Sequence, residues 1–361
     1  MGSAVVVGAG VFGASIAREL AGRGWRVTIL EQYVPGTVRS ASGGDTRLHR
    51  VAHGPNEWYA DLAWRARQGW RELERESGER VFEEVGVAWF VRRADGFEAA
   101  SRPVLERLRV PYEWLAPEDA RRLYPSLHVD DLHAVLFEPA AGVLHARRAT
   151  QLLVDDALRR GARLETTRAA PAEPPHADVV VWACGPWLAA LFPEHLELKV
   201  SRRDVFFLGV DGAWRGTPGF CDYDAPAYGH GELGGLGLKV ASDAGGDEID
   251  PDSLDRVPSR ERERESRAYA AARFPALARA PVIGARVCQY DLSVDTHFIV
   301  DRHPECPDWW LVGGSSGHGF KHGPALGGYV ADCIEGARER EPFHALGARS
   351  GDAGLRTASY G

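Results

Sequence analysis

The stretch Ala4-Val5-Val6-Val7-Gly8-Ala9-Gly10-Val11-Phe12-Gly13, continued by Ser15-Ile16-Ala17-Arg18-Glu19-Leu20 and then by Val27-Thr28-Ile29-Leu30-Glu31, decides the fold. Residues 4–8 are an apolar run ending in glycine, the pattern of a strand buried on both faces. Helical spacing follows, and a second apolar run stops on an acid. This is a strand–helix–strand unit around a Gly-x-Gly-x-x-Gly turn. Gly8 permits the tight turn, Gly10 lets the backbone approach a pyrophosphate, and Gly13 lets helix and strand pack closely. The helix N-terminus offers amide donors and a partial positive charge to phosphate. Glu31 is placed to accept from ribose hydroxyls, which disfavours a 2′-phosphorylated nucleotide. The unit reads as dinucleotide-binding, and by itself it leaves NAD and FAD both open.

Further along, Glu57 to Arg75 carries Tyr59, Leu62, Ala63, Ala66, Trp70 and Leu73 on one helical stripe. Val87–Val91 and Ala134–Phe137 read as strands, residues 96–127 as helix broken by four prolines, and Arg147–Arg159 as helix stopped at Gly161. Asp178–Gly185 is a second buried strand running into a glycine turn. Residues 205–242 alternate as strands, 259–267 form a charged helix face, Val287–Val300 is extended, and Leu311–Gly314 enters the loop Ser315–Gly319. A helix is expected over 323–336, and the last 20 or so residues show no periodicity. Nucleotide-type strands thus recur at the start, the middle and the end. The expected architecture is α/β in two interleaved domains. Residues 1–80, 143–204 and 285–361 are expected to build a dinucleotide-binding domain, which the family resemblance described below implies to be a Rossmann-like FAD-binding domain of the glutathione-reductase type. Residues 81–142 and 205–284 build a substrate domain with a mixed or antiparallel sheet.

At 361 residues the length suits roughly two domains. With 44% hydrophobic and 26% charged residues the composition is that of an ordinary globular chain. A formal net charge of −8 gives no case for nucleic acid as a partner. No apolar run reaches the ~18–20 residues of a membrane span. Five scattered cysteines without a CxxC point to reduced thiols and a cytoplasmic protein. His318 and His322 have i,i+4 spacing, but His318 sits in a glycine turn, so no metal site is expected. Among 43 basic residues three are lysine, Lys199, Lys239 and Lys321. Arginine-rich coding explains the ratio, and the surviving lysines are the ones to examine, because a compact, titratable ammonium is not replaceable by guanidinium.

Three blocks carry a family resemblance over about residues 4–336: the first unit with Glu31; Gly44-Asp45-Thr46-Arg47-Leu48-His49-Arg50; and Cys288-Gln289-Tyr290 followed by Asp295-Thr296-His297-Phe298 and Ser316-Gly317-His318-Gly319-Phe320-Lys321. In these the chain resembles the monomeric sarcosine oxidase and N-methyl amino acid oxidase family, within the D-amino-acid-oxidase-like flavoproteins. The resemblance implies FAD joined covalently to Cys288, with Gly8, Gly10, Gly13, Glu31, Ser42, Gly43, Arg47, Gly185, Gly317, His318, Gly319 and Lys321 around the cofactor. It implies Arg50 and Lys321 as the clamp for a substrate carboxylate, Arg47 against the flavin, Lys239 in the reaction with oxygen, and Tyr228 and Tyr290 in the substrate pocket. Lys199 has no family counterpart and is expected at the surface.

The implied activity is oxidation of the C–N bond of a carboxylate-bearing secondary or cyclic amine to an imine, with O2 reduced to hydrogen peroxide by a monomeric enzyme. The alternative is a flavin-dependent dehydrogenase or tailoring enzyme acting on an amino-acid-derived intermediate. An NAD-dependent enzyme or a non-catalytic nucleotide-binding module is a third reading. Two departures stand out: Gly43 and Asp243 occupy positions where sarcosine oxidases carry histidine. Gly43 is expected to open space beside the flavin and so to admit a substrate larger than sarcosine.

Overall fold

The computed structural model describes residues 2–347 and 349, so most of the aperiodic C-terminal stretch lies outside the described residues. A six-stranded sheet runs in the spatial order Ile299–Arg302, Trp309–Gly313, Val179–Trp182, Ser3–Val7, Arg26–Glu31, Arg163–Thr166. Its pairs are parallel except at the Ile299–Arg302 edge. Val11–Gly22 follows the first strand. Ile16, Ala17 and Leu20 on it are fully buried, in one cluster with Val6, Ile29, Leu153, Leu326 and Val330. Gly13 is there because of a close approach: a Cβ on it would stand 1.9 Å from the Gly8 carbonyl oxygen.

An eight-stranded mixed sheet runs Val282–Ser293, Leu198–Leu208, Leu238–Ser242, Ala227–His230, Gly219–Asp222, Val87–Val91, Ala134–Glu138, Glu113–Leu115. The expected boundaries at 205 and 285 fall inside its two longest strands, Leu198–Leu208 and Val282–Ser293. A three-stranded sheet of Thr46–His49, Gly142–His145 and Phe82–Glu83 completes the set.

Two features position the site. The helix Glu57–Ser77 is capped by Asn56, which accepts from the Tyr59 amide, and ends at Gly78 with φ +74°. Its buried Trp70 donates to the Lys321 carbonyl at 2.8 Å and stacks on Phe320 at 5.8 Å between ring centroids. The strand Val282–Ser293 links the eight-stranded sheet to the loop after Trp309–Gly313: the Asp291 carboxylate accepts from both the amide and the hydroxyl of Ser315.

The structure corrects the local reading in three places. Glu113–Leu115 is a strand within a region expected to be helical. Thr46–His49, Gly142–His145 and Arg163–Thr166 are strands with no apolar run to announce them, since four residues are too few for a period to show. Lys199 is half-buried on Leu198–Leu208 rather than exposed.

Candidate active site

A large cavity lies between the two main sheets, with roughly 1970 Å³ of empty space including its open mouth. Gly8, Gly10, Glu31, Ser42 and Gly185 line one end. There the Val11 amide donates to the Ser42 hydroxyl at 3.0 Å, and Glu31 accepts from the Ala9 and Tyr33 amides at 2.7 and 3.0 Å. Gly10 leaves the cavity open: a Cβ built on it would meet nothing nearer than Ser42 Oγ at 3.4 Å. A helix N-terminus, an open glycine and an acid in line form a cradle that fits a dinucleotide.

Arg47, Arg50, Tyr228, Tyr290, Gly317, His318, Gly319 and Lys321 line the other end. Arg47 comes from the short Thr46–His49 strand and donates to the carbonyls of Thr46 and Ala41. Burial opposes its charge, yet the Cys288 thiol and the Tyr228 and Tyr290 hydroxyls around it raise its pKa overall. Arg50 lies 4.7 Å over the Trp89 ring and donates to the Ala52 carbonyl. Lys321 is 2% exposed and donates to the His318 carbonyl at 2.7 Å. Burial, reinforced by Arg50, holds its ammonium well below the usual lysine range. Tyr228 and Tyr290 face each other, hydroxyl to hydroxyl, at 3.2 Å. Burial raises both phenols, so they are present as protonated donors.

Four of the expected site residues stand back from this cavity. Gly13 packs helix on strand. Cys288 is half-buried and shares a strand face with Tyr290, two residues on, facing Arg47. Lys239 donates to the Thr46 carbonyl at 3.1 Å and lies 5.4 Å from the Tyr228 ring centroid, one layer behind Arg47. Gly43 overturns the reading made of it. Its missing side chain points at the chain, where a Cβ would stand 1.7 Å from the Thr37 carbonyl oxygen. The glycine is imposed by a backbone crossing and opens no room beside the site.

Residues with no motif also reach the cavity. His53 follows Arg50 by three positions, and its neighbour in the chain is the one hint the sequence holds. Phe97 and Tyr223 come from separate elements and stack at 4.6 Å, 3° from parallel, across the wall beside Trp89. Sequence spacing carries no trace of that pair. His53, His318 and His322 bring three ring nitrogens within 4.8 Å of one another. Burial and the adjacent Lys321 hold all three imidazoles neutral, and Arg50 acts the same way on His53 and His318. The same two cations oppose a metal ion there.

Comparison with known proteins agrees with this geometry. A family model described as FAD dependent oxidoreductase matches residues 3–333. The chain belongs to that family. The oxidoreductase is 28% identical over 350 residues to monomeric sarcosine oxidase of Bacillus sp. (strain B-0618), covering 90% of this chain and 89% of that one. It is 25% identical over 346 residues to N-methyl-L-tryptophan oxidase of Yersinia pestis (strain Pestoides F), covering 91% and 93%. Among solved structures, L-proline dehydrogenase from P. horikoshii superposes with a TM-score of 0.82 at 24% identity, over 94% of this chain and 95% of that one, and shares the fold. The protein is therefore an FAD-dependent oxidoreductase, and the cradle at Gly10 and Glu31 fits that cofactor. No helix among the described residues is long and apolar enough to cross a membrane.

Lys239 yields a stability test. Burial, then Arg47, lowers its pKa from 10.5 to about 7. The unfolded chain therefore holds an extra proton between those limits, and stability rises with pH across that window. Lys239→Met removes the effect. The wild-type minus Lys239→Met difference in unfolding free energy is expected to shift in favour of wild type by about 1.4 kcal/mol per pH unit between pH 7 and 10. Denaturant melts of both proteins at several pH values measure it, and a flat difference contradicts a buried, titrating Lys239.

Proposed function

We propose that this enzyme oxidises the C–N bond of a secondary or cyclic amine carrying a carboxylate, giving an imine and, through O2, hydrogen peroxide. The observation that supports it is the pairing of Arg50 and Lys321 at the end of the cavity that Tyr228 and Tyr290 also line. A buried ammonium beside a half-buried guanidinium is costly without an anion to share. A substrate carboxylate meets that need. It would stabilise the Lys321 ammonium against its burial and fix the amine carbon in place, a positioning effect that converts binding into rate. FAD supplies the two-electron acceptor when bound. Gly8, Gly10, Glu31 and Ser42 would hold its nucleotide end, and Arg47, Gly317, His318 and Gly319 its ring end. The relatives named for sarcosine and for N-methyl-L-tryptophan both act on N-methylated amino acids, in line with this reading. A bulky side chain is favoured by the aromatic wall of Trp89, Phe97 and Tyr223, not by Gly43.

The eight-stranded sheet would serve as the substrate side and the six-stranded sheet as the cofactor side. Cys288 would tether the cofactor covalently, held near the ring end by its place beside Arg47. Lys239, a compact cation behind Arg47, would stabilise negative charge developing on dioxygen.

Three measurements test this. First, N-methyl-L-tryptophan, L-pipecolate or L-proline is expected to exceed sarcosine in kcat/KM by about 10-fold or more, and Lys321→Ala to raise KM for carboxylate substrates about 10–100-fold. Peroxide-coupled kinetics read both. Sarcosine outperforming every bulkier amine ends the bulky-substrate reading, and an unchanged KM ends the clamp. Second, acid precipitation is expected to leave a yellow pellet with the mass of protein plus FAD, and Cys288→Ala a colourless one. A colourless wild-type pellet defeats the tether. Third, Lys239→Met is expected to slow reoxidation by O2 about 10²–10³-fold in stopped flow, with a smaller effect on anaerobic reduction. Equal damage to both half-reactions removes the role in oxygen chemistry.

A further inference from the structure

A carboxylate clamp works only while its cations stay aimed. Lys321 is fully enclosed and held on the His318 carbonyl. Arg50 is harder to hold. It is half-buried, and a guanidinium on a flexible stem loses much rotamer freedom when it is fixed. It rests on two neutral partners, the Trp89 ring at 4.7 Å and the Ala52 carbonyl at 2.9 Å. Whatever fixes those partners decides where the guanidinium points.

One side chain reaches all of them. Glu138 ends the Ala134–Glu138 strand and is 1% exposed. Its Oε1 accepts from the Trp89 indole N–H at 2.7 Å. Its Oε2 accepts from the Val51 and Ala52 amides at 2.8 and 3.2 Å. The first bond sets the ring beneath Arg50. The other two set the backbone directly after Arg50, including the residue whose carbonyl Arg50 uses. Strand register brings this about. Val87 lies opposite Glu138, and Trp89, two residues on along the same face, is the diagonal neighbour.

The carboxylate stands among apolar neighbours, since Val87, Trp89, Ala134 and Leu136 belong to one hydrophobic cluster. Burial pushes its pKa up, and the three N–H donors and the Arg50 charge oppose that rise. A charge in such surroundings is costly unless its hydrogen bonds are made, and three donors on two oxygens make them. Glu138 also acts on the other half of the clamp. Its charge favours the ammonium of Lys321, against the burial that disfavours it.

We infer that Glu138 is a positioning residue: it aims the Arg50 guanidinium at the substrate carboxylate by fixing the Trp89 ring and the 51–52 backbone. The inference rests on the clamp reading above. Glu138 itself touches neither substrate nor cofactor in this role. Glu138→Gln keeps the volume but breaks the arrangement. A glutamine offers one acceptor oxygen and an NH2, so its donor must face either the indole N–H or the two amides. One set of contacts is lost, and the anion that supports Lys321 goes with it.

The test uses holoenzyme of wild type, Glu138→Gln, Arg50→Ala and the double variant. Isobutyrate and isobutyramide, which differ in the carboxylate, are titrated against the flavin absorbance. Glu138→Gln is expected to bind isobutyrate about tenfold more weakly and isobutyramide as wild type does. Arg50→Ala is expected to weaken isobutyrate about 10–100-fold, and adding Glu138→Gln to it to cost less than about twofold more, because the glutamate works through the arginine. Anaerobic reduction by whichever of N-methyl-L-tryptophan, L-pipecolate or L-proline reduces the wild-type flavin is expected to show the loss in Kd, about tenfold, rather than in the limiting rate. Relief of repulsion between Glu138 and the ligand carboxylate works in the opposite direction, so unchanged or tighter isobutyrate binding by Glu138→Gln overturns the inference. Equal weakening of acid and amide, additive losses in the double variant, or a lower limiting rate at unchanged Kd overturns it too. If Glu138→Gln does not fold, Trp89→Phe carries the test under the same criteria, since it removes one donor to Glu138 and keeps a ring under Arg50. Arg50→Ala that leaves isobutyrate affinity unchanged overturns the clamp reading instead.

Discussion

Arg47, Arg50, Lys239 and Lys321 converge on one seam between two sheets. Charges buried this way are tolerated where surrounding structure fixes their polar contacts and where an anion arrives to share them. Much of the molecule serves that arrangement. Lys321 is held from both directions, its ammonium on the His318 carbonyl and its own carbonyl under Trp70. The helix carrying Trp70 thus acts as the back wall of the site without reaching the cavity. The imidazoles of His49, His53, His318 and His322 surround the same ammonium, and burial, reinforced by that charge, keeps them neutral.

The Val282–Ser293 strand is the second organising element. It lies along Leu198–Leu208 with Arg203 opposite Cys288 and Ser201 opposite Tyr290. One strand therefore presents Cys288 and Tyr290 on one face and delivers Asp291 to the Ser315 turn beside the six-stranded sheet. A shift of one residue in its register would send both side chains to the opposite face. The two sheets are coupled through this strand by the Asp291–Ser315 contact.

The sequence made the nucleotide half legible because its signals are local. A tight turn needs glycine, close packing needs glycine, and a buried parallel strand needs an unbroken apolar run, all within thirty residues. The same holds for the Trp70 helix, whose stripe and caps lie within its own span. Gly43 shows where local reading fails. A glycine can mean space or the lack of it, and only the position of the Thr37 carbonyl, six residues back on a folded loop, decided for the latter. The strand Glu113–Leu115 was hidden for a similar reason: its partner, Ala134–Glu138, supplies the pairing that its own three residues do not announce.

By itself the sequence determined the strand–helix–strand unit, the two interleaved sets of strands, and the residue types, two scarce lysines among them, that cationic chemistry requires. Tertiary structure decided which of these meet. It set Arg50 against Lys321, stacked Phe97 on Tyr223 from 126 positions away in the chain, and joined Tyr228, Tyr290 and Asp243 from three separate segments. Such contacts arise from strand register and sheet packing, where residues far apart in sequence come within a few ångströms. No short-range pattern encodes that distance.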